Sequence, residues 1–250
     1  MPKFFAISDI HSFYDVMIEA LDEAGFDENN EEHWLVVCGD CFDRGPDSVK
    51  VLKYLRNLPR KVLVKGNHEQ LLVDCCERGY PASHDIHNGT TRTISHLGYG
   101  DEFEDMCKYA LVKIRPFLDG MVNYFETKNY IFVHSWIPTI NKYEWPEHHT
   151  YSFEFDPNWR QASQAEWDNA MWGNPFEKSF EGLNQTGKTI VFGHWHCSAG
   201  HRMLGHCNDE FDGYALWEPC YADGIIGIDR CTAYTGEANV IVIEDDFLEN

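Results

Sequence analysis

The sequence predicts an α/β fold, in which short strands alternate with amphipathic helices. Apolar runs rich in β-branched residues, such as the one from Trp34 to Cys38, have the length and composition of buried strands. Between such runs lie segments with apolar residues at helical spacing, for example from Phe103 to Ile114. No repeat, low-complexity tract or linker divides the chain. One domain spanning residues 1-250 is therefore expected, with insertions at about 140-170 and 200-223.

Three strands and three helices alternate over the first 79 residues of the predicted fold. The strands occupy residues 3–8, 34–38 and 61–65. Ser12 is expected to cap the first helix, and Gly25 stands where a C-terminal glycine would end it. Pro46 suits the first turn of the second helix, which runs to about residue 58. The third helix begins at residue 69 and ends before Gly79.

The pattern after Gly79 is less regular. Residues 84–87 are expected to form a loop and residues 88–92 a short helix. The amphipathic helix that begins at Phe103 should end before Pro116, because proline interrupts helical hydrogen bonding. The remaining strands are expected at residues 120–126, 130–133, 188–192, 224–229 and 239–244, with a helix near residues 161–172.

The net charge of the chain is strongly negative, at −21, and the sequence pI is about 4.8. Such a charge keeps a protein soluble and repels polyanions, so nucleic acid and anionic membranes are not expected as partners. If the substrate is itself anionic, local positive charge must reverse this field. Bound divalent metal ions would supply that charge.

The cysteine count gives an expectation about the compartment. There are nine cysteines, an odd number, and no signal peptide or long apolar span. We therefore expect free thiols and a reducing, cytoplasmic location. Cys38 and Cys41 form a C-x-x-C pair, but a single pair is weak evidence for zinc or redox chemistry.

Residues that can bind metals follow five of the predicted strands. They are Asp9 with His11, Asp40, Asn67, His134 and His194. In an α/β fold the ends of neighbouring strands lie side by side, and ligands bind in the crevice above them. Each residue alone is more often an ordinary hydrogen-bonded side chain. Five such positions at equivalent strand ends favour a common metal site.

The donor set indicates which metals would bind. Carboxylate, imidazole and amide without thiolate suit Mn²⁺, Fe or Zn²⁺, and Mn²⁺ is our preferred assignment. One catalytic ion that keeps a water cannot use all these ligands. We therefore expect two divalent ions about 3.5–4 Å apart that share a carboxylate, a geometry that serves displacement at phosphorus. Arg44, close to Asp40 in the chain, could hold a phosphate through paired hydrogen bonds.

Over nearly its whole length the chain resembles the phosphoprotein phosphatase group of the calcineurin-like metallophosphoesterases. The motifs that carry this likeness are Asp9-Ile-His11, Gly39-Asp-Cys-Phe-Asp-Arg-Gly45, Gly66-Asn-His-Glu69, His134 and Gly193-His194. The small bacterial and bacteriophage serine/threonine phosphatases are the most similar members, and the bis(5′-nucleosyl)-tetraphosphatases are related to them. The resemblance implies a β-sandwich of two mixed sheets flanked by helices, with a dinuclear metal site at one end.

The resemblance also implies a role for each residue of the site. Asp9, His11 and Asp40 would hold the first metal. Asp40 would bridge to the second, and the residues completing that site would be Asn67, His134 and His194. Arg44 and Asn67 would bind the substrate phosphate. A hydroxide bridging the metals would attack phosphorus in line, and His68, oriented by Asp43, would protonate the leaving oxygen as general acid.

Two departures from the family pattern concern the substrate. Trp172-Gly173-Asn174 stands where the family has a Trp-x-Arg whose arginine binds phosphate, so Arg160, or failing that Arg230, is expected to replace it. His196 follows His194 by two positions, and such side chains point to the same side of an extended segment. We therefore expect His196 to ligate the first metal. The alternative is a histidine that only hydrogen-bonds a carboxylate ligand.

These residues predict an enzyme that hydrolyses phosphoserine and phosphothreonine in proteins. A hydrolase of dinucleoside polyphosphates such as diadenosine tetraphosphate, or of another small phosphate ester, is the alternative within enzymes. An inactive phosphate-binding module is disfavoured because the expected ligands, Asp43 and His68 are all present. A structural metal domain is a further alternative, with irregularly spaced candidate ligands in His194, His196, Cys197, His201, His206 and Cys207.

Overall fold

The computed structural model describes residues 1–144, 150–211 and 213–248. The strands are β1 (Lys3–Ile7), β2 (His33–Cys38), β3 (Lys61–Val64), β4 (Phe125–Glu126), β5 (Tyr130–Phe132), β6 (Thr139–Glu144), β7 (Thr150–Phe155), β8 (Thr189–His196), β9 (Cys220–Ala222), β10 (Ile225–Asp229) and β11 (Ile241–Glu244). The α-helices are α1 (Tyr14–Glu23), α2 (Ser48–Asn57), α3 (Asn67–Arg78), α4 (Ser83–Asn88), α5 (Thr90–Leu97), α6 (Phe103–Leu118), α7 (Gln164–Ala170), α8 (Pro175–Phe180), α9 (Cys197–Met203) and α10 (Thr232–Thr235). A 3₁₀ turn covers Trp159–Gln161.

The strands form two mixed sheets and a separate hairpin. The first sheet has the order β11-β1-β2-β3, and its three strands from the N-terminal half are parallel. The second has the order β4-β5-β8-β10-β9, with its three central strands parallel and both edge strands antiparallel. The hairpin pairs β6 with β7. In each sheet the parallel strands bring their carboxyl ends, and the loops that follow, to one edge.

The two sheets pack face to face around an apolar core. Phe4 and Val36 of the first sheet belong to one buried cluster with Phe132, Val191 and Ile228 of the second. Alternate residues of each strand point to the other face, as the period of a strand requires. This arrangement is the predicted β-sandwich of two mixed sheets, and the fold class is confirmed.

Helices and aromatic side chains cover the outer faces of the sandwich. Phe5, Ile7 and Leu35 of the first sheet lie in a cluster with residues of α1, α2, α3, α5 and α6. On the second sheet, Ile190 and Phe192 belong to a separate cluster. Its large members are Trp136, Trp159, Trp167 and Phe176. Each sheet is therefore buried on both faces, which fits the nearly continuous apolar runs of its central strands.

The prediction that Ser12 caps the first helix is wrong. The N-cap of α1 is Phe13, and Ser12 has a left-handed backbone conformation with φ of 62°. The hydroxyl of Ser12 lies 3.0 Å from the hydroxyl of Ser48, and its carbonyl accepts a hydrogen bond from the backbone of Asp47. Ser12 ties the loop after β1 to the start of α2 and is not available to cap α1.

The prediction that a helix ends before Pro116 is also wrong, since α6 continues to Leu118. Proline removes one helical hydrogen bond at this point. However, the next residue, Phe117, is buried and packs its ring against Phe42, with 5.7 Å between ring centroids. The apolar contacts of the last turn thus outweigh the local cost of Pro116.

Residues 84–87, predicted as a loop, lie in α4. The buried carboxylate of Asp85 accepts a hydrogen bond from the backbone N–H of Ala82 and pairs with the guanidinium of Arg78. This turn is fixed by a carboxylate at its third position, which stabilises a helix N-terminus. Apolar periodicity in the sequence does not predict α4, because most residues of this short helix are polar.

The second half contains more regular structure than predicted. Part of the insertion at 140–170 is the hairpin of β6 and β7, while Trp145-Pro146 and His148-His149 lie outside the described residues. The predicted helix near residues 161–172 is present as α7, with Ser163 as its N-cap. Within 200–223, β9 adds an edge strand to the second sheet. All nine cysteines are free thiols, and no helix in the described ranges is long and apolar enough to span a membrane.

Candidate metal centre

The loops after β1, β2, β3 and β5 and the end of β8 meet at one edge of the sandwich. Their backbone is strained in the same way. Among the described residues, seven of the eight non-glycine residues with positive φ are in these segments: Asp9, His11, Ser12, Asp40, Asp43, Arg44 and His194. Such conformations cost about 1–3 kcal/mol each and concentrate at functional sites. The strained backbone conformations thus lie where candidate ligands turn towards a common centre.

Two glycines make the close approach of these loops possible. Gly39 has φ of +84°, and a Cβ atom there would collide with the ring of His134 and the backbone of Gly66. A Cβ atom on Gly66 would collide with the carboxylate of Asp40. The glycine before Asp40 and the glycine before Asn67 are therefore required by sterics, since no other residue lacks a Cβ atom.

Asp40 lies at the middle of the cluster. One group of close metal-binding atoms comprises His11, Asp40 and His68, and a second comprises Asp40, His134 and His194. Oδ1 of Asp40 lies 3.4 Å from Nε2 of His134, and Oδ2 lies 3.8 Å from Nε2 of His11. The two oxygens of one carboxylate thus face two different sets of imidazoles.

Asp9 and Asn67 lie at the border of this cluster. Oδ2 of Asp9 accepts a hydrogen bond of 2.9 Å from the backbone N–H of His194. Oδ1 of Asn67 lies 2.8 Å from Nε2 of His134, which identifies the ring nitrogen that faces the cluster. The other ring nitrogen, Nδ1, lies 2.9 Å from the carbonyl of Cys38 and can donate to it. The structure therefore brings together the six predicted ligands other than His196.

Burial and neighbouring charges set the protonation of these groups. Burial lowers the pKa of His11 well below its ordinary value and the pKa of His194 to about 3. Burial also raises the pKa of Asp9, with Asp229 and Asp40 adding to the effect. Burial would raise the pKa of Asp40 as well. The imidazoles around Asp40 outweigh burial, however, and hold this pKa well below the usual range.

This donor chemistry fits divalent cations. Imidazoles held neutral by burial keep a lone pair free to bind a metal, and an ionised carboxylate supplies the hard oxygen. Two buried carboxylates, Asp9 and Asp40, with few cationic partners would be costly without a positive charge nearby. A metal ion bound at each set of ligands would provide this positive charge.

His68 is held on both sides of its ring. Nδ1 lies 2.8 Å from Oδ2 of Asp43 and donates to it, while Nη2 of Arg44 lies 3.3 Å from Nε2. Burial alone would lower the pKa of His68, but Asp40 and Asp43 outweigh it and raise the pKa. The bond to Asp43 fixes the ring of His68, whose Nε2 faces Arg44 and lies 3.9 Å from Oδ2 of Asp40.

Asp43 is itself positioned by helix α5. Thr90 donates a hydrogen bond of 2.6 Å to Oδ2 of Asp43, and the hydroxyl of Thr93 accepts one of 3.0 Å from its backbone N–H. Sequence reasoning missed both threonines, since they lie about 50 residues further along in a segment that was predicted poorly.

Glu69 is a further residue that sequence reasoning missed. Its carboxylate is fully buried and accepts hydrogen bonds from the backbone N–H groups of Asp40, Cys41 and Gly66 at 2.8–3.0 Å. Burial and the nearby charge of Asp40 raise the pKa of Glu69 to about 7. The carboxylate fastens the loop after β2 to the start of α3. The Gly66-Asn-His-Glu69 motif was the available signal, but Glu69 was interpreted only as the start of a helix.

His196 is not part of either group of close ligands, contrary to prediction. His194 has φ of 65°, so the chain is not extended there and the alternation of side chains breaks down. Nδ1 of His196 pairs with Glu210 at 2.6 Å, and Nε2 lies 4.0 Å from Asp229. Burial would lower its pKa, but contacts with Cys231, Asp229 and Glu210 raise the pKa of His196 to about 9. His196 thus pairs with Glu210 and lies near Asp229, and neither carboxylate is among the predicted metal ligands.

The arginines expected to replace the missing one lie elsewhere. Nε and Nη2 of Arg160 both donate to Glu126, at 2.8 and 2.6 Å. Glu126 pairs with Ile131 near the start of β5, whereas His134 follows the end of that strand. Arg230 donates to Asn239 and pairs with Glu237. Neither guanidinium is brought to the cluster, so the expectation for Arg160 and Arg230 is wrong.

The remaining cysteines and histidines do not form a structural metal domain. His201 and His206 approach each other with 3.1 Å between their Nδ1 atoms. Across the described ranges, only the two groups around Asp40 place three or more metal-binding atoms close together. The structural metal hypothesis is therefore not supported.

Comparison with known proteins agrees with this site. A family model described as calcineurin-like phosphoesterase matches residues 2–198. A symmetrical bis(5′-nucleosyl)-tetraphosphatase of Aeromonas salmonicida (strain A449) is 45% identical over 68 residues, which is 27% of this chain and 24% of that protein. One of Buchnera aphidicola subsp. Acyrthosiphon pisum (strain 5A) is 41% identical over 70 residues, 28% of this chain and 25% of that protein. The chain thus spans about a quarter of the length of these curated relatives.

Solved structures share the fold over nearly the whole chain. A cold-active protein tyrosine phosphatase is 17% identical and has a TM-score of 0.56, covering 98% of this chain and 74% of that one. The cold-active protein-tyrosine phosphatase of a psychrophile, Shewanella sp., is 16% identical with a TM-score of 0.51, covering 98% and 76%. At these identities the likeness shows the fold alone.

A β-sandwich with carboxylates and imidazoles gathered at one edge defines a metallophosphoesterase. The chain belongs to the calcineurin-like phosphoesterase family, whose model matches most of it. The family resemblance inferred from the sequence is confirmed at this level. The narrower assignment to serine/threonine phosphatases is not, because the curated relatives carry the name of bis(5′-nucleosyl)-tetraphosphatases.

Proposed function

We propose that this protein is a dinuclear-metal-dependent hydrolase of phosphate esters. The observation that carries the proposal is the position of Asp40, whose two carboxylate oxygens face His11 on one side and His134 on the other. A carboxylate shared in this way is what a pair of metals a few ångströms apart requires.

The residues of the cluster divide into two ligand sets. Asp9, His11 and Asp40 would hold the first ion, and Asp40 would also contact the second. The second ion would take its other ligands from Asn67, His134 and His194. Held by these residues, a pair of ions would supply an acidified water molecule and positive charge for the attacking and leaving oxygens of an in-line displacement. Mn²⁺ is the proposed metal, because a donor set of carboxylates, an amide oxygen and imidazoles without thiolate suits it.

His68 and Arg44 would act on the substrate directly. Arg44 would donate hydrogen bonds to phosphoryl oxygens, which accept well from a guanidinium. Nε2 of His68 faces the guanidinium of Arg44, which can only donate. Once Arg44 turns to the substrate phosphate, Nε2 would carry a proton and give it to the leaving oxygen, while Nδ1 keeps its bond to Asp43. The contact between Arg44 and Nε2 of His68 supports this assignment, since it places the phosphate ligand and the proton donor side by side.

The first candidate substrate is phosphoserine or phosphothreonine in a protein. The reason is the buried pair of His68 and Asp43, which is of most use when the leaving group is a poorly stabilised alkoxide. The second candidate is a dinucleoside polyphosphate, such as diadenosine tetraphosphate. It is favoured by the name that the curated relatives share over the segment they match.

A substrate panel tests both the reaction and the substrate. Purified protein with added Mn²⁺ is assayed on p-nitrophenyl phosphate, a phosphoserine peptide, a phosphothreonine peptide and diadenosine tetraphosphate, with Asp40→Asn as the matched inactive control. We expect metal-dependent hydrolysis that the substitution removes. Higher kcat/KM on the peptides supports the first candidate, and higher kcat/KM on the dinucleotide supports the second. Absence of activity on every substrate in metal-loaded protein would overturn the proposal in favour of an inactive phosphate-binding module.

A further inference from the structure

A small cavity of about 230 Å³ lies beside the metal cluster. Its walls are partly aromatic, with Trp136, Phe153 and Trp172. The polar and charged residues of its lining are Thr139, Asn141, Glu166, Asn169 and Lys178, and the carboxylate of Glu166 accepts hydrogen bonds from Ser163. Phosphate chemistry in a protein of net charge −21 needs local cations, and this cavity contains one that the catalytic assignment does not use.

The cavity shares a wall with the candidate metal centre. The rings of Trp172 and His194 lie 6.4 Å apart, edge to face. Ser135, next to the proposed ligand His134, donates a hydrogen bond of 2.8 Å to the carbonyl of Gly173. The segment 172–173 thus separates the cavity from two proposed metal ligands by a single layer of backbone.

Lys178 is the unusual member of this cavity. Its Nζ atom is buried over the ring of Phe153 and has no hydrogen-bond partner among the residues that the structure describes. Burial lowers the pKa of Lys178 to about 8. A buried ammonium without a partner is costly, and an anion that reached it would remove the cost.

The other basic residues near this end of the second sheet are already paired. Arg160 and Lys188 share Glu126, and Arg230 pairs with Glu237. Lys142, on the strand that contributes Asn141 to the cavity, pairs with Glu154. Lys178 differs from all of them because, within the described ranges, no carboxylate lies within ion-pair distance of it, although Glu181 and Glu177 act on it from further away.

The side chain of Asn174 caps α8, the helix that contains Lys178. Oδ1 of Asn174 accepts hydrogen bonds from the backbone N–H groups of Phe176 and Glu177, at 3.1 and 3.3 Å, and so caps α8. Arginine has no acceptor and could not do this. The backbone N–H of Lys178 in turn donates to the carbonyl of Asn174 at 3.1 Å, which places Lys178 one turn after the cap. Its Cε atom lies against Gly173, close to Ser135.

We propose that Lys178 binds phosphoryl oxygens of the substrate at the mouth of this cavity and supplies the positive charge that position 174 lacks. This inference rests on the proposed function, because it assigns a further substrate-binding residue to the same site. The oxygens belong either to the phosphoryl group under attack or to the phosphate next to it.

The test compares Lys178→Met, which removes the charge at similar length, with Lys178→Arg, which keeps it. Lys142→Met is the matched control, since it removes a charge from a neighbouring element without opening the cavity. Binding of orthophosphate and of pyrophosphate to each Mn²⁺-loaded protein is measured by calorimetry, with metal content and circular dichroism recorded first. Because these ligands are bound and not turned over, a failure of the proposed reaction would be seen separately, in the substrate panel.

We expect Lys178→Met to weaken anion binding by about ten- to a hundredfold, the usual value of a hydrogen bond to a charged group. Lys178→Arg should restore most of the affinity, and Lys142→Met should change it little. Equal losses for both anions assign Lys178 to the phosphoryl group under attack, and a loss for pyrophosphate alone assigns it to the neighbouring phosphate. Unchanged binding of both anions, or an equal loss in Lys142→Met, would overturn the inference.

Discussion

Nδ1 of His68 donates a hydrogen bond of 2.8 Å to Oδ2 of Asp43, and both side chains are almost completely buried. The bond fixes the orientation of the imidazole and leaves Nε2 facing Arg44, the proposed phosphate ligand. The carboxylate also favours the protonated ring, which a proton donor needs. The pair therefore has the geometry of a general acid and its orienting group.

Replacement of His68 by Asn should separate proton donation from metal binding. Asparagine can still accept or donate in the same volume, so both metals should be retained. Turnover of alkyl phosphates should fall by about 10²–10⁴-fold, the usual effect of removing a positioned acid. Aryl phosphates, whose leaving groups need less help, should lose less. Steady-state kinetics on phosphoserine and p-nitrophenyl phosphate measure the difference, and equal losses on the two would remove His68 from the donor role.

Asp40→Asn should disturb both metal sites, because each oxygen of this carboxylate faces a different set of imidazoles. We expect lower affinity for both ions and loss of activity. His134→Ala is the matched comparison, and it should chiefly deplete one ion, since His134 contacts only one side of Asp40. Metal analysis after dialysis distinguishes these results. Asp40→Asn protein that retains two ions with ordinary affinity would contradict a shared ligand.

The strand ends were predictable from the sequence because two simple patterns coincide there. A short β-branched run marks the strand, and the first polar residues after it must lie at the edge of the sheet. These two patterns are sufficient to predict that Asp9, Asp40, Asn67 and His134 lie together. This prediction requires no knowledge of side-chain contacts.

The supporting residues could not be predicted in the same way. Thr90 reaches Asp43 across 47 positions of the chain, in a region without clear periodicity. His196 was assigned from the alternation of an extended strand, which fails at the left-handed backbone of His194. Arg160 was expected at the site because it lies in the insertion just upstream of Asn174, yet in the fold its guanidinium donates two hydrogen bonds to Glu126. These positions depend on contacts between distant segments and on the backbone conformation of individual residues. A local sequence pattern shows neither.

Glu69→Gln should weaken the loop that holds Asp40. The carboxylate accepts three backbone N–H groups, whereas an amide has one oxygen and leaves a buried donor unpaired. We expect about 1–3 kcal/mol of lost stability in chemical denaturation, together with reduced metal affinity. Glu77→Gln, an exposed change on the same helix, is the control and should stay within about 0.5 kcal/mol. A stable Glu69→Gln protein with unaltered metal binding would show that these hydrogen bonds do not support the site.

Lys178 should also make stability depend on pH in a direction that can be worked out. Burial lowers its pKa to about 8 in the folded chain, compared with 10.5 for an unperturbed lysine. Between these values the unfolded chain binds the extra proton and the folded chain does not, so the contribution of Lys178 to stability rises with pH. Lys178→Met lacks this contribution, while thiols and other groups that titrate in the same range are common to both proteins. The free energy of unfolding, measured by denaturant titration in phosphate-free buffer at about pH 7.5 and about pH 10, should therefore shift in favour of the unsubstituted protein as pH rises. A difference that stays constant or falls over this range would show that the amine of Lys178 is solvated or paired in the folded protein.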